Sequence, residues 1–302
     1  MQKDMGRTED PVLSEEVVLR LVHKHVPGAR EVKQVDETGN KARTYLVDED
    51  LVLKTQRLTR INPQTSLEKE VYFLNQIRAD DRIRVPRVLG YGTDKGVEYT
   101  VMTRMPGRAW RWLHLEGADR RRVLHDLGQM LRYIHQLDQK PFQESQFFAG
   151  DLNQSDVRGS IEQSFAALVE RLGSRPPGWT LTITPEQVAL KVLDSCPPTV
   201  EAVALHANPG SPHTFVDEER MALAGLIDFG DAYIGHPAFD LAPWADPQDQ
   251  QMVFQGYTSV APVNEAFIAV LRSVTILHIL RRRIRNGDVS FNEDLRNLLS
   301  QI

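Results

Sequence analysis

Leu205-His-Ala-Asn-Pro-Gly-Ser-Pro-His-Thr-Phe-Val-Asp217, followed after a short polar run by Ala224-Gly-Leu-Ile-Asp-Phe-Gly-Asp-Ala-Tyr-Ile-Gly-His-Pro-Ala-Phe-Asp-Leu-Ala-Pro-Trp244, is the stretch around which the chain is organised. The apolar pair Leu226 and Ile227 predicts a strand that ends at Asp228-Phe229-Gly230. It delivers a carboxylate beside a glycine, whose backbone is free to turn sharply. Upstream, His206, Asn208 and His213 lie on a polar loop leading into a second apolar strand at 214–216. A turn at 217–220 joins the two strands as a hairpin, which holds both polar groups against one region.

Composition narrows the classes open to the chain. Its 302 residues are 41% hydrophobic and 25% charged, which suits a globular protein with one large or two moderate cores and excludes a disordered tail. A formal net charge of −5 argues against a nucleic-acid partner, because such domains concentrate positive charge on one face. The basic runs 120–122 and 281–283 fall in helical patterns and read as solvated faces. A single cysteine, Cys196, excludes an internal disulfide framework and fits a reducing, cytoplasmic setting. The N-terminus is polar and no apolar run approaches the roughly 18 residues of a membrane span, so neither a signal peptide nor a membrane partner is expected. Nothing in the sequence fixes the oligomeric state.

Two motifs carry a family resemblance. Ile227-Asp228-Phe229-Gly230-Asp231, with Pro237, Asp240, Leu241 and Ala242 beyond it, is similar to the Ile-Asp-Phe/Trp-Gly-Asp and Asp-Pro-x-x-Asp-Leu-Ala signatures of aminoglycoside phosphotransferases and related small-molecule kinases. The resemblance implies an α+β, bilobal protein-kinase-like fold. A small N-terminal nucleotide-binding lobe with an antiparallel sheet would cover 1–104. A mainly helical C-terminal lobe, 105–302, would carry the catalytic loop and the acceptor site. It implies ATP or GTP as cofactor, with Mg2+ bound by Asp228, a hard oxygen ligand of the kind that ion prefers. Asp240 is expected behind the catalytic loop, accepting hydrogen bonds from the backbone around His206.

The catalytic loop departs from the family's His-Gly-Asp-x-x-x-x-Asn. His206 keeps its place, but Asn208 stands at the catalytic Asp and His213 at the metal-binding Asn. Asn208 cannot act as a base, since an amide neither ionises nor usefully takes a proton; it can still orient an acceptor hydroxyl. His206 or the substrate is then left to supply the base. Imidazole is a poorer match to magnesium than an amide oxygen. His213 is read as a weak metal ligand, as a cation facing phosphate, or as a plain loop residue.

Toward the N-terminus, Ser14 reads as the cap of a helix over 14–25. Strands follow at 29–35, 42–47 and 51–55, the first two joined by a turn that contains Gly39, giving an antiparallel meander. A lone lysine on the third strand, Lys54, reads by itself as an edge residue. In the kinase pattern, a strand lysine pairs with a glutamate on the next helix and clamps nucleotide phosphates. A helix is expected over 65–77, and Glu70 is the partner the resemblance selects, with Glu68 as the alternative on another face. No Walker Gly-x-x-x-x-Gly-Lys occurs, which removes P-loop enzymes; residues 38–41 stand where a glycine-rich phosphate cover would lie. The break at Met105-Pro-Gly marks the hinge, where backbone groups of Thr103 and Met105 are expected to meet the base.

Helices are predicted at 119–137, at 185–193 behind a Thr184 cap, at 263–285 and from 292 onward, with 151–196 a mostly helical insertion. His135 reads as a packed or capping residue. Asp240, Asp246 and Asp249 give a mild acidic bias that suits a cationic aminoglycoside, although spaced acids after proline are commonly surface loop. Two function classes stand side by side. One is a phosphotransferase with an alcohol group as acceptor, acting on a small molecule. The other is a catalytically impaired, nucleotide-binding or regulatory pseudokinase. Intact Lys54, Glu70, Asp228 and Asp240 favour the first, and the altered loop favours the second.

Overall fold

The computed structural model describes residues 11–60, 67–150, 156–173, 178–198, 202–244, 246–286 and 293–302. Its chain divides into two compact units, Met1–Leu113 with Ser211–Ala232, and His114–Gly210 with Tyr233–Ile302. Against an expected boundary at 104, the first unit runs on to Leu113 and takes in the segment that bears Asp228.

The first unit opens with helix α1 (Glu15–His23), whose N-cap is Ser14 as its sequence predicts. Strands β1 (Val32–Asp36), β2 (Ala42–Val47) and β3 (Leu51–Gln56) form the meander, and helix α2 (Leu67–Ile77) follows. The first two residues of the helix expected over 65–77 lie outside the described residues. Strands β4 (Val88–Asp94) and β5 (Val97–Thr103) complete a five-stranded antiparallel sheet in the order β1-β2-β3-β5-β4. Alternation along a strand sends successive side chains to opposite faces. Leu51 and Leu53 therefore join Tyr45, Val47, Tyr99 and Val101 in a core under Val18, Leu21 and Val22 of α1. Val52, Lys54 and Gln56 take the other face of β3.

A short strand β6 (Arg108–Ala109) pairs with β8 (Thr214–Asp217), which pairs in turn with β9 (Ala222–Leu226). This is the expected hairpin. Its turn is closed by Asp217 Oδ1, which accepts from the backbone N–H groups of Glu219 (3.0 Å) and Arg220 (3.1 Å).

The second unit is mainly helical. It comprises α3 (Gly117–His135), α4 (Lys140–Gln143), α5 (Val157–Leu172) and α6 (Pro185–Ser195), then α7 (Ala238–Leu241), α8 (Pro247–Val260), α9 (Glu265–Arg285) and α10 (Glu293–Ser300). The helix expected over 263–285 thus starts two residues later, where Asn264 caps it through a 2.8 Å bond from the Phe267 N–H. Helices α5 and α6 account for the described part of the 151–196 insertion. Strand β7 (Val203–Leu205) pairs antiparallel with β10 (Tyr233–Gly235), opposing Leu205 to Tyr233. Gly128 of α3 and Gly256 of α8 let those helices approach closely. A Cβ on either would strike a backbone carbonyl of the other helix, Val253 or His125. That close approach sets His135 against Tyr257, with ring centroids 5.6 Å apart.

Candidate active site

In the first unit, Lys54 is the centre of a charge triad. Its ammonium donates to Glu70 Oε2 at 2.8 Å and to Asp228 Oδ1 at 2.6 Å. Glu70, not Glu68, is therefore the helical partner; Glu68 is exposed. Glu70 also accepts the Phe229 N–H at 3.2 Å, so one buried carboxylate ties β3, α2 and the segment after β9 together. Phe229 is fully buried and packs at a tilt against Phe73 of α2, centroids 5.0 Å apart.

Burial alone would lower the Lys54 pKa, but Asp228 and Glu70 outweigh it and hold the group above its ordinary value. Glu70 moves the other way for a carboxylate: burial, reinforced by Asp228, pushes it up against the pull of Lys54. One cation thus faces two carboxylates, and the more buried of them, Glu70, is the one in which the negative charge is disfavoured. A further cation meeting Asp228 would relieve that imbalance.

Asp228 has φ = 70°, a left-handed conformation uncommon for a residue with a Cβ and worth of order 1–3 kcal/mol in strain. Its side chain remains 39% exposed, and its Oδ2 lies 3.2 Å from His213 Nε2. Magnesium demands oxygen donors and is commonly held by one or two carboxylates with phosphates and water completing the shell. Asp228, already presented to a cation in the form of Lys54, fits such a role, with Asp231 nearby in sequence as a second carboxylate. No group of three His, Cys, Asp or Glu side chains suited to a metal occurs among the described residues. An ion there would depend on ligands brought by a nucleotide.

The segment 37–41 is built without glycine-rich freedom. Glu37 is gripped by Arg43 and by Arg57, which donates to Oε2 at 2.8 Å and also to the carbonyls of Glu37 (2.8 Å) and Gly39 (3.0 Å). The Arg43 hydrogen bond, against the cost of burial and with help from Arg57, holds the Glu37 carboxyl below the usual range. Lys41, the last residue before β2, reaches Asp231 with its ammonium. Sequence reading missed both the arginine clamp and this pair. The signal available was a cation, Lys41, at the end of a hairpin with too few glycines.

Thr103 closes β5, its N–H donating to the Arg87 carbonyl and its hydroxyl accepting the Arg87 N–H, both at 2.9 Å. Met105 is buried beside Gly225. Both belong to the same unit as Lys54.

His206, Asn208 and Asp240 belong to the second unit. Asp240 is fully buried and accepts from the N–H groups of His206 (Oδ2, 2.8 Å) and Ala207 (Oδ1, 2.8 Å). His135 Nε2 donates to the same carboxylate at 3.1 Å, and its Nδ1 accepts from Tyr257 Oη at 3.1 Å. His135 is thus a hydrogen-bonded link between α3, α8 and the loop. Ala207 has φ = 75°, where glycine would be at ease. His206 is fully buried, and its Nδ1 accepts the Asn208 N–H at 3.2 Å. Asn208 is exposed.

The expected acidic bias does not survive. Asp240 is committed to the loop, and Asp249 is locked to Arg120 in a two-pronged bond at 2.7 and 2.6 Å. Asp246 caps α8, accepting from the Gln248 N–H at 2.9 Å.

A strand lysine paired to a helical glutamate and to an aspartate after a hairpin in one unit, and in the other a buried aspartate that holds a loop, are the features of a kinase-like phosphotransferase fold. Residues 32–259 match the model of the phosphotransferase enzyme family abbreviated APH, and the chain belongs to that family. Among solved structures, the chain is similar to the apoenzyme of macrolide 2'-phosphotransferase MphH from Brachybacterium faecium, at 17% identity and TM-score 0.62, covering 94% of this chain and 96% of that one. It is similar also to the streptomycin-ATP-APH(2")-IIa ternary complex, at 17% identity and TM-score 0.60, with 96% of each chain covered. The GDP complex of wild-type aminoglycoside 2'-phosphotransferase-IIIa aligns at 14% identity and TM-score 0.61, over 96% of this chain and 98% of that one. No curated protein sequence matches the chain.

Proposed function

We propose that this chain transfers the terminal phosphate of ATP or GTP to a hydroxyl of a small molecule. The observation that carries the reading is the Lys54 ammonium held between Glu70 and Asp228 at 2.8 and 2.6 Å. Phosphoryl transfer runs through a loose transition state, so positioning and charge neutralisation do most of the work. In this reading the region before residue 105 takes the nucleotide and the remainder presents the acceptor. Lys54 holds nucleotide phosphate, and Thr103 and Met105 flank the base. Asp228 would hold magnesium, which would supply further neutralisation of the transferred group. His213 is assigned to orienting Asp228 through its 3.2 Å contact, ahead of direct metal ligation.

The terminal P–O bond breaks with its electron pair leaving on the nucleoside diphosphate. The acceptor oxygen forms the new P–O bond and its proton passes to water. Asn208 orients that hydroxyl without accepting the proton. His206, buried and bonded to the Asn208 N–H, shapes the loop from within. A cytoplasmic location completes the reading, resting on the single cysteine, which fits a reducing compartment.

A second reading, nucleotide binding without turnover, is favoured by the amide at Asn208. Thermal shift with ATP and GTP, with and without magnesium, followed by diphosphate release over a panel of hydroxylated acceptors, separates the two. Stabilisation by a magnesium nucleotide with acceptor-dependent release supports transfer. A nucleotide response with no release under any acceptor supports the second reading. No response to either nucleotide removes both.

A further inference from the structure

His213 and Asp228 are brought face to face by the backbone of one hairpin. The β8–β9 ladder opposes Thr214 to Leu226, and one residue further on the Ile227 N–H donates to the His213 carbonyl at 3.1 Å. The next residue, Asp228, turns back at φ = 70°. Both side chains keep some access to solvent, His213 at 17% and Asp228 at 39% exposed, so a small ion can reach them.

The two carboxylate oxygens have different neighbours. Lys54 donates to Oδ1 at 2.6 Å, while Oδ2 lies 3.2 Å from His213 Nε2. An ion that joins Asp228 at Oδ2 therefore arrives beside the imidazole. Two ligands at right angles on one ion, each about 2.1 Å from it, are about 3 Å apart. The pair has nearly that spacing, so one ion can take both atoms after a small shift of the side chains. The nitrogen decides which ion does so. Magnesium prefers oxygen donors and gives up water reluctantly, which leaves the imidazole as an orienting neighbour of Asp228. First-row transition ions accept a nitrogen ligand more readily, in an order of affinity that rises from manganese.

We infer that His213 makes the ion site selective for a first-row transition ion over magnesium, because Asp228 Oδ2 and His213 Nε2 ligate that ion together. The ring then carries its proton on Nδ1. No cluster of three His, Cys, Asp or Glu side chains suited to a metal occurs among the described residues, so nucleotide phosphate and water complete the shell and the ion binds with the nucleotide. The inference rests on the phosphotransferase reading for that nucleotide.

The test uses the full chain with ADP and, in parallel, GDP, each with saturating Mn2+ or Mg2+. Manganese stands lowest in the affinity order, so it is the most demanding choice, and it is paramagnetic. Pulsed electron paramagnetic resonance on uniformly 15N-labelled protein with unlabelled nucleotide should show a 15N nucleus bound directly to manganese. That signal should vanish in His213→Asn and in His213→Gln, which offer an amide oxygen instead and retain the backbone bond to Ile227. By calorimetry the parent should bind the nucleotide about tenfold or more tighter with manganese than with magnesium, and the ratio should fall toward one in both variants. An outer-shell partner of a metal ligand is itself commonly worth about 10- to 100-fold in metal affinity. A residue that only orients Asp228 acts on both ions alike, however, and leaves the ratio unchanged. No 15N coupling in the parent, a coupling that persists in both variants, a parent ratio near one, or a ratio equal in parent and variants would each overturn the inference. Nucleotide binding that stays intact under any of those results keeps the phosphotransferase reading standing, whereas no binding of either nucleotide with either ion sinks both.

Discussion

The segment carrying Asp228 and the loop carrying Asn208 come from one stretch of sequence, and each contains a left-handed residue with a Cβ, Asp228 at φ = 70° and Ala207 at φ = 75°. They are supported in opposite ways. Asp228 is held by charge: Lys54 on one oxygen and His213 near the other. The loop is held by Asp240 through the backbone N–H groups of His206 and Ala207, contacts that do not use the side chain at 208. A backbone buttress lets a reactive side chain change without unfolding the loop. A charge triad has no such latitude, because Glu70 and Lys54 lose their balance if Asp228 is altered. That contrast explains how Lys54, Glu70, Asp228 and Asp240 are kept while the loop carries an amide at Asn208.

The largest effect expected from this difference is at Asn208. Its side chain is exposed and its loop is supported from behind, so Asn208→Asp should restore a general base with little change in melting temperature. General-base assistance typically contributes about 10² to 10⁴ in rate, and kcat from diphosphate release should rise toward that range. An unchanged kcat with an intact fold would put residue 208 away from the acceptor.

The buttress itself should be costly to remove. Asp240→Ala strands the buried His206 N–H, the part-buried Ala207 N–H and the His135 Nε2 donor, and each buried group left unsatisfied costs about 1–3 kcal/mol. A loss of roughly 3–5 kcal/mol in denaturant unfolding is expected, at the level of breaking a buried charged network. If Asp240→Ala unfolds at the same denaturant midpoint, the loop is held by something other than this carboxylate.

Acid should weaken the loop's surroundings. Burial, and secondarily His135, depresses His236 from an ordinary 6.5 to about 4, and its Nδ1 accepts the Ala238 N–H at 3.2 Å, which requires the neutral ring. The unfolded chain takes the proton first. The stabilisation is therefore complete above pH 6.5 and is lost as pH falls toward 4, amounting to about 3 kcal/mol at 1.36 kcal/mol for each unit of depression. His236→Asn keeps an acceptor but cannot titrate, so its stability should fall less than that of the parent over this window. His278 titrates in the same direction, and the difference between the two proteins isolates His236. Parallel pH curves would refute the assignment.

What could be read in advance follows the same division. Lys54, Glu70 and Asp240 were legible through their match to the family pattern, since a lone strand lysine reads by itself as an edge residue. Helices elsewhere were legible through local rules such as the Ser14 cap of α1 and the Thr184 capping box of α6. The roles of Asp246 and Asp249 were not legible. Their partners, a cap at Gln248 and a guanidinium 129 residues away in sequence, are decided by packing that no local pattern encodes. The same holds for His135, whose tie to Asp240 spans 105 residues and depends on the glycine-mediated approach of α3 and α8.

The smallest effect expected lies at Lys41, and it probes the charged side of the contrast. The hairpin before β2 lacks a glycine-rich run; two buried arginines fix Glu37 instead, and the lysine that follows is committed to Asp231. Both partners of that last pair are partly exposed, so it is worth no more than about 1 kcal/mol to the fold, and exchanging Asp231 for a phosphate oxygen costs little. Lys41→Ala should leave stability nearly unchanged yet weaken nucleotide binding by about five- to tenfold, the effect of roughly 1 kcal/mol. Because the contact is screened, calorimetric titration at low and high salt should show the gap between parent and variant narrowing as salt rises. Equal nucleotide affinities at low salt would mean that the clamped hairpin does not cover phosphate, and that the work of holding the nucleotide falls to Lys54 and Asp228.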